Sequence, residues 1–273
     1  MFPRTQYALY SLHLILPLIF EFMALICMAV YDTEENGRSE YTERTIESLT
    51  KTVDWNKHRL IVVDNGSCQA TKDILQDYKE WIEFCRFTTI ITLSQNVGTA
   101  RGINFGMKLR KLGEAFLKID NDVVINQSGW VDEMEEVIRR DPKIGIVGLK
   151  RKDVNFDGTY ISLPHKPGER WVTVETGGQI MGTCTMFNPL LIEKIGGFSD
   201  CSIYGFDDML MDLRSSLAGF YNCYLPHIDI NHIDRGDNPY TIEKQKIAKQ
   251  AFPKYTQLYQ SYIDGARPLY EEL

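Results

Sequence analysis

Apolar runs of strand length alternate with helix-period stretches through the first half of this 273-residue chain, and acids close several of the runs. The run 24–31 ends at Asp32. Ser39–Thr52 follows, with Ile46, Leu49 and then Val53 at helical spacing and Ser39 placed as an N-cap. The run 59–63 stops at Asp64-Asn65-Gly66-Ser67. Helix-period residues 71–84 come next, with Ile74, Leu75, Tyr78, Trp81 and Ile82 on the inward side, then a strand-like run 87–93 and a helix over 99–112. Another strand, 115–119, meets acids at Asp120-Asn121-Asp122, and a helix over Trp130–Arg140 and a strand over 144–149 complete the half. Such alternation predicts a parallel, doubly wound α/β sheet. Ligands of such sheets bind beyond the carboxyl ends of the strands, where Asp32, Asp64, Asp120 and Asp122 all fall.

The stretch 116–125 is the most pointed of these ends. Carboxylates at i and i+2 repel unless a cation or a donor lies between them. Hard oxygen ligands suit Mg²⁺ or Mn²⁺, which take one or two protein carboxylates and complete their shell from phosphates. The alternative is an acidic strand-to-turn junction, since Asp and Asn also favour turns. The second half reads less regularly. Residues 151–175 look like a loop or hairpin insertion, and 180–187 like a mixed strand. Pro189–Ile195 is a short helix closed by Gly196-Gly197, 206–217 a helix ended by Gly219, and 221–225 a strand. A helical tail runs from Tyr240 to about Tyr262.

A net charge of −7 argues against a nucleic-acid partner. Cys27, Cys68, Cys85, Cys184, Cys201 and Cys223 form no C-x-x-C pair and read as reduced thiols of a cytoplasmic protein. Residues 12–30 carry no Lys or Arg and are long enough to cross a bilayer, with Glu21 costing roughly 2.5 kcal/mol there. Three readings of the N-terminus stand open: a membrane anchor, peripheral or spanning; a packed extension; or a leader of residues 1–22 before a domain that begins at Met23 with a buried strand.

Four stretches then line up: Asp64-Asn65-Gly66-Ser67; Asn96-Val97-Gly98 through Arg101, Asn104 and Gly106; Asp120-Asn121-Asp122; and Gly196-Gly197-Phe198 followed by Asp207-Asp208, Arg214 and His232. In this order they resemble a GT-A glycosyltransferase, more narrowly the inverting group numbered family 2. The resemblance runs from about Met23 to His232 and divides the chain into a leader (1–22), a GT-A domain (23–239) and a helical tail (240–273). It implies a mostly parallel central sheet flanked by helices. It also implies a nucleoside-diphosphate sugar donor, UDP-linked by preference, and an Mn²⁺ or Mg²⁺ ion on the D-x-D.

By that resemblance Asp122 is the direct metal ligand, Asp120 contacts ribose or the metal shell beside Asn121, and His232 adds a metal or diphosphate contact. Tyr31, Asp32 and Asp64 frame the base or ribose, with turn capping as the other role for Asp64. Small residues from Asn96 and Gly98 to Gly106 let a helix approach both the sheet and the nucleotide closely, and Arg101 reaches a phosphate or stays a surface charge. Inversion needs a base. Asp208 is that base and Asp207 positions acceptor hydroxyls, where the family often has the longer Glu. Gly177, Gly178, Gln179 and Trp171 fall on the acceptor side, and Arg235 near the phosphates. The acceptor is a glycan, a lipid-linked sugar or a protein. Two other functions share the sheet. A sugar-phosphate nucleotidyltransferase would carry a Gly-rich basic loop after the first strand, and here that loop is Asp-Thr-Glu-Glu-Asn-Gly. A non-catalytic carbohydrate-binding relative would not need Asp120, Asp122 and Asp208.

Overall fold

The computed structural model describes residues 24–84, 88–153, 158–234, 236 and 239–273. The leader 1–22, Cys85 and Arg235 lie outside them. Ala24–Val30 forms β1, Arg59–Asp64 β2, Thr88–Thr92 β3 and Ala115–Ile119 β4. They lie side by side in the order β3-β2-β1-β4, parallel throughout. Leu25, Ile26, Cys27 and Met28 have no exposed surface, as expected of a parallel strand covered on both faces. Each such aliphatic side chain contributes about 1.5–3 kcal/mol by leaving water. Residues 24–30 are therefore the centre of the sheet and not part of a bilayer span. Among the described residues no helix is long and apolar enough to cross a membrane.

Three helices alternate with these strands: α1 (Ser39–Thr52), α2 (Gln69–Phe84) and α3 (Thr99–Met107). The third is shorter than its sequence period suggests, because turn residues 108–114 peel away before β4. Its glycines set its distance from the sheet. A Cβ on Gly106 would stand 2.3 Å from Cys27 Sγ, and one on Gly102 3.3 Å from the Asn65 side chain.

Beyond β4 come β5 (Val123–Val124), α4 (Trp130–Arg140), β6 (Ile144–Arg151), β7 (Thr159–Ser162), β8 (Thr173–Thr176), β9 (Cys184–Phe187), α5 (Pro189–Ile195), α6 (Asp207–Leu217), β10 (Tyr221–His232) and α7 (Pro239–Ile263). The sheet continues β4-β9-β6-β10-β8-β7. Two results differ from a purely parallel reading. β9 inserts antiparallel between β4 and β6, since the chain returns to the sheet from the β7–β8 hairpin on the opposite heading. β10 extends seven residues past Leu225, and its end pairs antiparallel with β5 (His232 opposite Val123). That pairing carries His232 to the acids that follow β4.

The tail helix α7 packs against α6 through rings. Phe206 stacks on Tyr255 with centroids 4.3 Å apart and 14° between planes. After α7 the chain returns to α5: Gly197 N–H donates to Glu271 O and Glu271 N–H to Ile195 O. Arg214, fully buried, donates to the carbonyls of Ile195, Gly197 and Leu269 and so ties the end of the chain to α5 and α6.

Candidate active site

A cleft of about 980 Å³ opens at the carboxyl ends of β1 and β4 and is roofed by the first turns of α7. Tyr31, Asn96, Asp120, Asn121, Asp122, Asp207, Asp208 and His232 line it, so most of the residues expected from the sequence do converge. Others stand behind it or away. Asp32 is buried beneath, where Thr42 and Thr71 hydroxyls donate to one oxygen and Asn121 Nδ2 to the other at 2.9 Å. It fixes the D-x-D turn from below. Asp64 Oδ1 caps its turn by accepting the Ser67 N–H at 2.8 Å, while its Oδ2 is buried without a partner among the described residues. Gly98 adopts φ +96° against the backbone of Ile203, which accepts the Thr99 N–H. Arg101 pairs with Asp200 on the surface and does not line the cleft. Exposed Trp171 packs against His165 with the rings tilted by 49°, and does not line it either.

The asparagines of the first two motifs act as clamps. Asn65 donates to Asn96 Oδ1 and Gly98 O and accepts from Val97 N–H, which welds the β2 turn to the start of α3. Asn104 brackets Phe198, donating to its carbonyl at 2.9 Å and accepting its N–H at 2.8 Å. The Gly-Gly-Phe turn is thereby held to α3.

Charge is concentrated at Asp122. Its Oδ2 accepts from Arg38 at 2.5 Å and lies 3.3 Å from His232 Nε2, while its Oδ1 is buried without a partner among the described residues. Burial alone would raise its pKa, but the hydrogen bond and charge of His232, with Arg38 alongside, hold it well below the usual carboxylate range. His232 is pushed up in return, the Asp122 contact outweighing its burial. Asp120 turns the other way. Its Oδ1 accepts from Lys118 Nζ at 2.6 Å, and the same ammonium donates to Gly182 O at 2.5 Å. The expected trio of Asp120, Asp122 and His232 is thus assembled only in part. Free oxygen lone pairs on Asp122, a second carboxylate two residues earlier and one imidazole still make a donor set that fits a hard divalent ion.

Across the cleft, α6 begins at Asp207 and Asp208. Phe206 before them sits at φ +68°, a strained conformation for an aromatic residue, held by its stacking on Tyr255. Asp208 accepts Gly182 N–H on Oδ2 at 3.1 Å and Met209 N–H on Oδ1 at 2.8 Å. Asp207 is buried, and its carboxyl is pushed up to about 6 by that burial, with Asp208 and Asp120 adding to the shift and Lys118 opposing it.

Arg38, Lys118, Arg151, Asp234, Tyr240 and Lys244 also line the cleft, and none was identified from sequence. Only Lys118 left a signal there, as a charge inside the apolar run of a central strand. Burial opposes its charge, but Asp120, Asp207 and Asp208 more than compensate and keep it protonated.

A second cluster lies at the opposite rim, where β1 and β2 begin. His58 Nε2 is 3.6 Å from Asp132 and its Nδ1 4.0 Å from Glu135. Nδ1 accepts the Ala24 N–H, which leaves the ring proton on Nε2, and Lys57 already neutralises Asp132 at 3.0 Å. With no ring lone pair left to offer, this cluster is structural, and burial pushes Glu135 up to about 8.

A Rossmann-like half sheet extended by an antiparallel strand, with an acidic turn facing an Asp-Asp helix start, defines a glycosyltransferase of the GT-A fold. The family model for glycosyl transferase family 2 matches residues 26–195, and the chain belongs to that family. Its likeness to solved structures extends over the fold. The mannosyltransferase PcManGT from Pyrobaculum calidifontis, in complex with GDP-Man and Mn²⁺, superposes with a TM-score of 0.62 at 16% identity, over 86% of this chain and 64% of that one. TarS of S. aureus gives 0.60 at 15% identity, over 87% and 39%. GalNAc-T7 with UDP, GalNAc and Mn²⁺ gives 0.58 at 12% identity, over 86% and 50%. The uncharacterised protein y4gI of Sinorhizobium fredii (strain NBRC 101917 / NGR234) is 22% identical over 227 residues, which is 75% of this chain and 24% of that protein. The chain therefore spans about a quarter of that curated relative's length and less than two thirds of these solved chains.

Proposed function

We propose that this glycosyltransferase moves a sugar from a nucleoside-diphosphate sugar, UDP-linked by preference, to an acceptor hydroxyl with inversion at the anomeric carbon. One observation carries the proposal: a metal-competent carboxylate, Asp122, shares a cleft with a carboxylate pair, Asp207 and Asp208, presented from the facing helix start. The mannosyltransferase and GalNAc-T7 structures, described with Mn²⁺ and with GDP-Man or UDP, support this reading. The catalytic unit is taken as residues 23–239, with 240–273 supplying the roof.

Asp122 and His232 would hold a divalent ion, Mn²⁺ or Mg²⁺, with Asp120 completing the protein side. When bound, that ion neutralises the charge that builds on the diphosphate as the glycosidic bond breaks. Lys244, half-buried near Asp234 and the Tyr240 ring, is placed to meet diphosphate oxygens from the roof. Tyr31, which lines the cleft, suits the base or ribose, and Asp64 supports that wall from behind through the β2 turn it caps. Asp208 accepts the proton of the acceptor hydroxyl, and the two N–H groups that hold its oxygens fix its aim. Asp207 orients that hydroxyl.

Donor hydrolysis over a panel of UDP- and GDP-sugars, with and without EDTA, tests the proposal. Asp122→Ala is expected to abolish metal-dependent donor binding. Asp208→Ala should leave donor binding intact and lower transfer by about 10²–10⁴-fold. Transfer that survives EDTA, or survives in the Asp208 variant, overturns the assignment.

A further inference from the structure

Arg38 places a protein cation on the very carboxylate proposed to take the metal. It is the residue just before α1, and its guanidinium reaches back into the cleft. One nitrogen donates to Asp122 at 2.5 Å and lies 3.4 Å from Asn121 Oδ1; another donates to Asp234. The rings of Tyr41 and Tyr240 flank it at 5.4 and 5.1 Å. The side chains of Arg38, Asp122 and Asp234 are each at most 4% exposed. A buried, charge-assisted bond of this kind is strong, and stripping one carboxylate from the guanidinium leaves a buried charge uncompensated. A divalent cation arriving alone at Asp122 would meet that guanidinium as a like charge. A diphosphate changes the balance, because its oxygens match the guanidinium fork that Asp122 gives up.

We infer that Arg38 is the resident counter-ion of Asp122 and makes metal loading conditional on the nucleotide. The site takes a divalent cation together with a diphosphate, and Arg38 turns from Asp122 to the diphosphate as both arrive. This rests on the metal-and-diphosphate reading above. To the direct contact between cation and diphosphate it adds a further positive coupling, carried by one side chain.

Isothermal titration of the full chain with Mn²⁺ alone, UDP alone and both together tests it. In the unmodified protein, saturating UDP is expected to tighten Mn²⁺ binding by about tenfold or more. Arg38→Gln should tighten Mn²⁺ alone by about tenfold and lower the coupling by about the same factor, leaving the part supplied by direct contact between the cation and the diphosphate. Arg38→Lys, which keeps the cation, should preserve the suppression. The double variant Arg38→Gln with Asp234→Asn keeps the buried charge balanced, and serves if the single variant does not fold. Arg38→Gln or the double variant binding Mn²⁺ alone no more tightly than the unmodified protein, with the UDP effect intact, overturns the inference and leaves the proposed function standing. Absence of any Mn²⁺-dependent UDP binding in the unmodified protein overturns the proposed function, and the inference with it.

Discussion

Asp207 and Asp208 are neighbours in sequence with different surroundings, and the difference is testable. Asp207 keeps its proton up to about pH 6, held by burial and by the nearby Asp208 and Asp120. If its anion orients the acceptor, the KM for acceptor should fall as pH rises through about 6, and Asp207→Asn should flatten that limb in an initial-rate pH series. The stability sign is opposite. Between the ordinary carboxylate range and about 6 the folded chain holds a proton that the unfolded chain has released, so Asp207 makes stability fall as pH rises across that window. At this scale the sequence was informative where chemistry needs a residue type at a short spacing. Asp120, Asp122, Asp207 and Asp208 could be singled out because four short motifs stand in one order along the chain; either acid pair alone would also suit a turn or a helix start. Arg38 could not, because its meeting with Asp122 spans 84 residues and depends on how α1 leaves the sheet.

Among elements, α3 shows how a motif can be visible while its partners are not all named by it. The pattern Asn96-x-Gly98 through Asn104 and Gly106 suggested close approach both to the sheet and to a nucleotide. In the structure much of that closeness is to protein: Gly106 lies against Cys27, and Asn104 clamps the Gly-Gly-Phe turn. Gly106→Val should therefore cost about 1–3 kcal/mol through overpacking against β1, read as a lowered urea midpoint with an unchanged slope. A midpoint shift below a few tenths of a kcal/mol would mean that α3 can lift off the sheet cheaply. The parallel strands were legible because burial on both faces leaves uninterrupted apolar runs. β9 was legible as a strand but not in its direction, because antiparallel entry depends on the hairpin before it and leaves no trace in the residues of Cys184–Phe187.

At the level of the whole molecule, Arg214 fastens the end of the chain to the catalytic half. Its guanidinium serves carbonyls of Ile195, Gly197 and Leu269 with no exposed surface of its own. Arg214→Met keeps the volume but takes the donor from the Gly197 and Leu269 carbonyls, at about 1–3 kcal/mol each, while Ile195 O keeps the Glu271 N–H. The expected outcome is early proteolytic cleavage after α7 together with a lower melting temperature, and a variant that resists protease like the unmodified protein would show that other contacts suffice. The roof helix has a further consequence. The region matched by the family model ends at residue 195, whereas the Asp-Asp pair, His232, Tyr240 and Lys244 all come later in the chain. On the proposed reading the matched part supplies the floor under the donor, while the segment after residue 195 carries the acceptor-side carboxylates together with the metal and diphosphate contacts of His232 and Lys244. Grafting that segment between relatives would then change acceptor choice and donor affinity together.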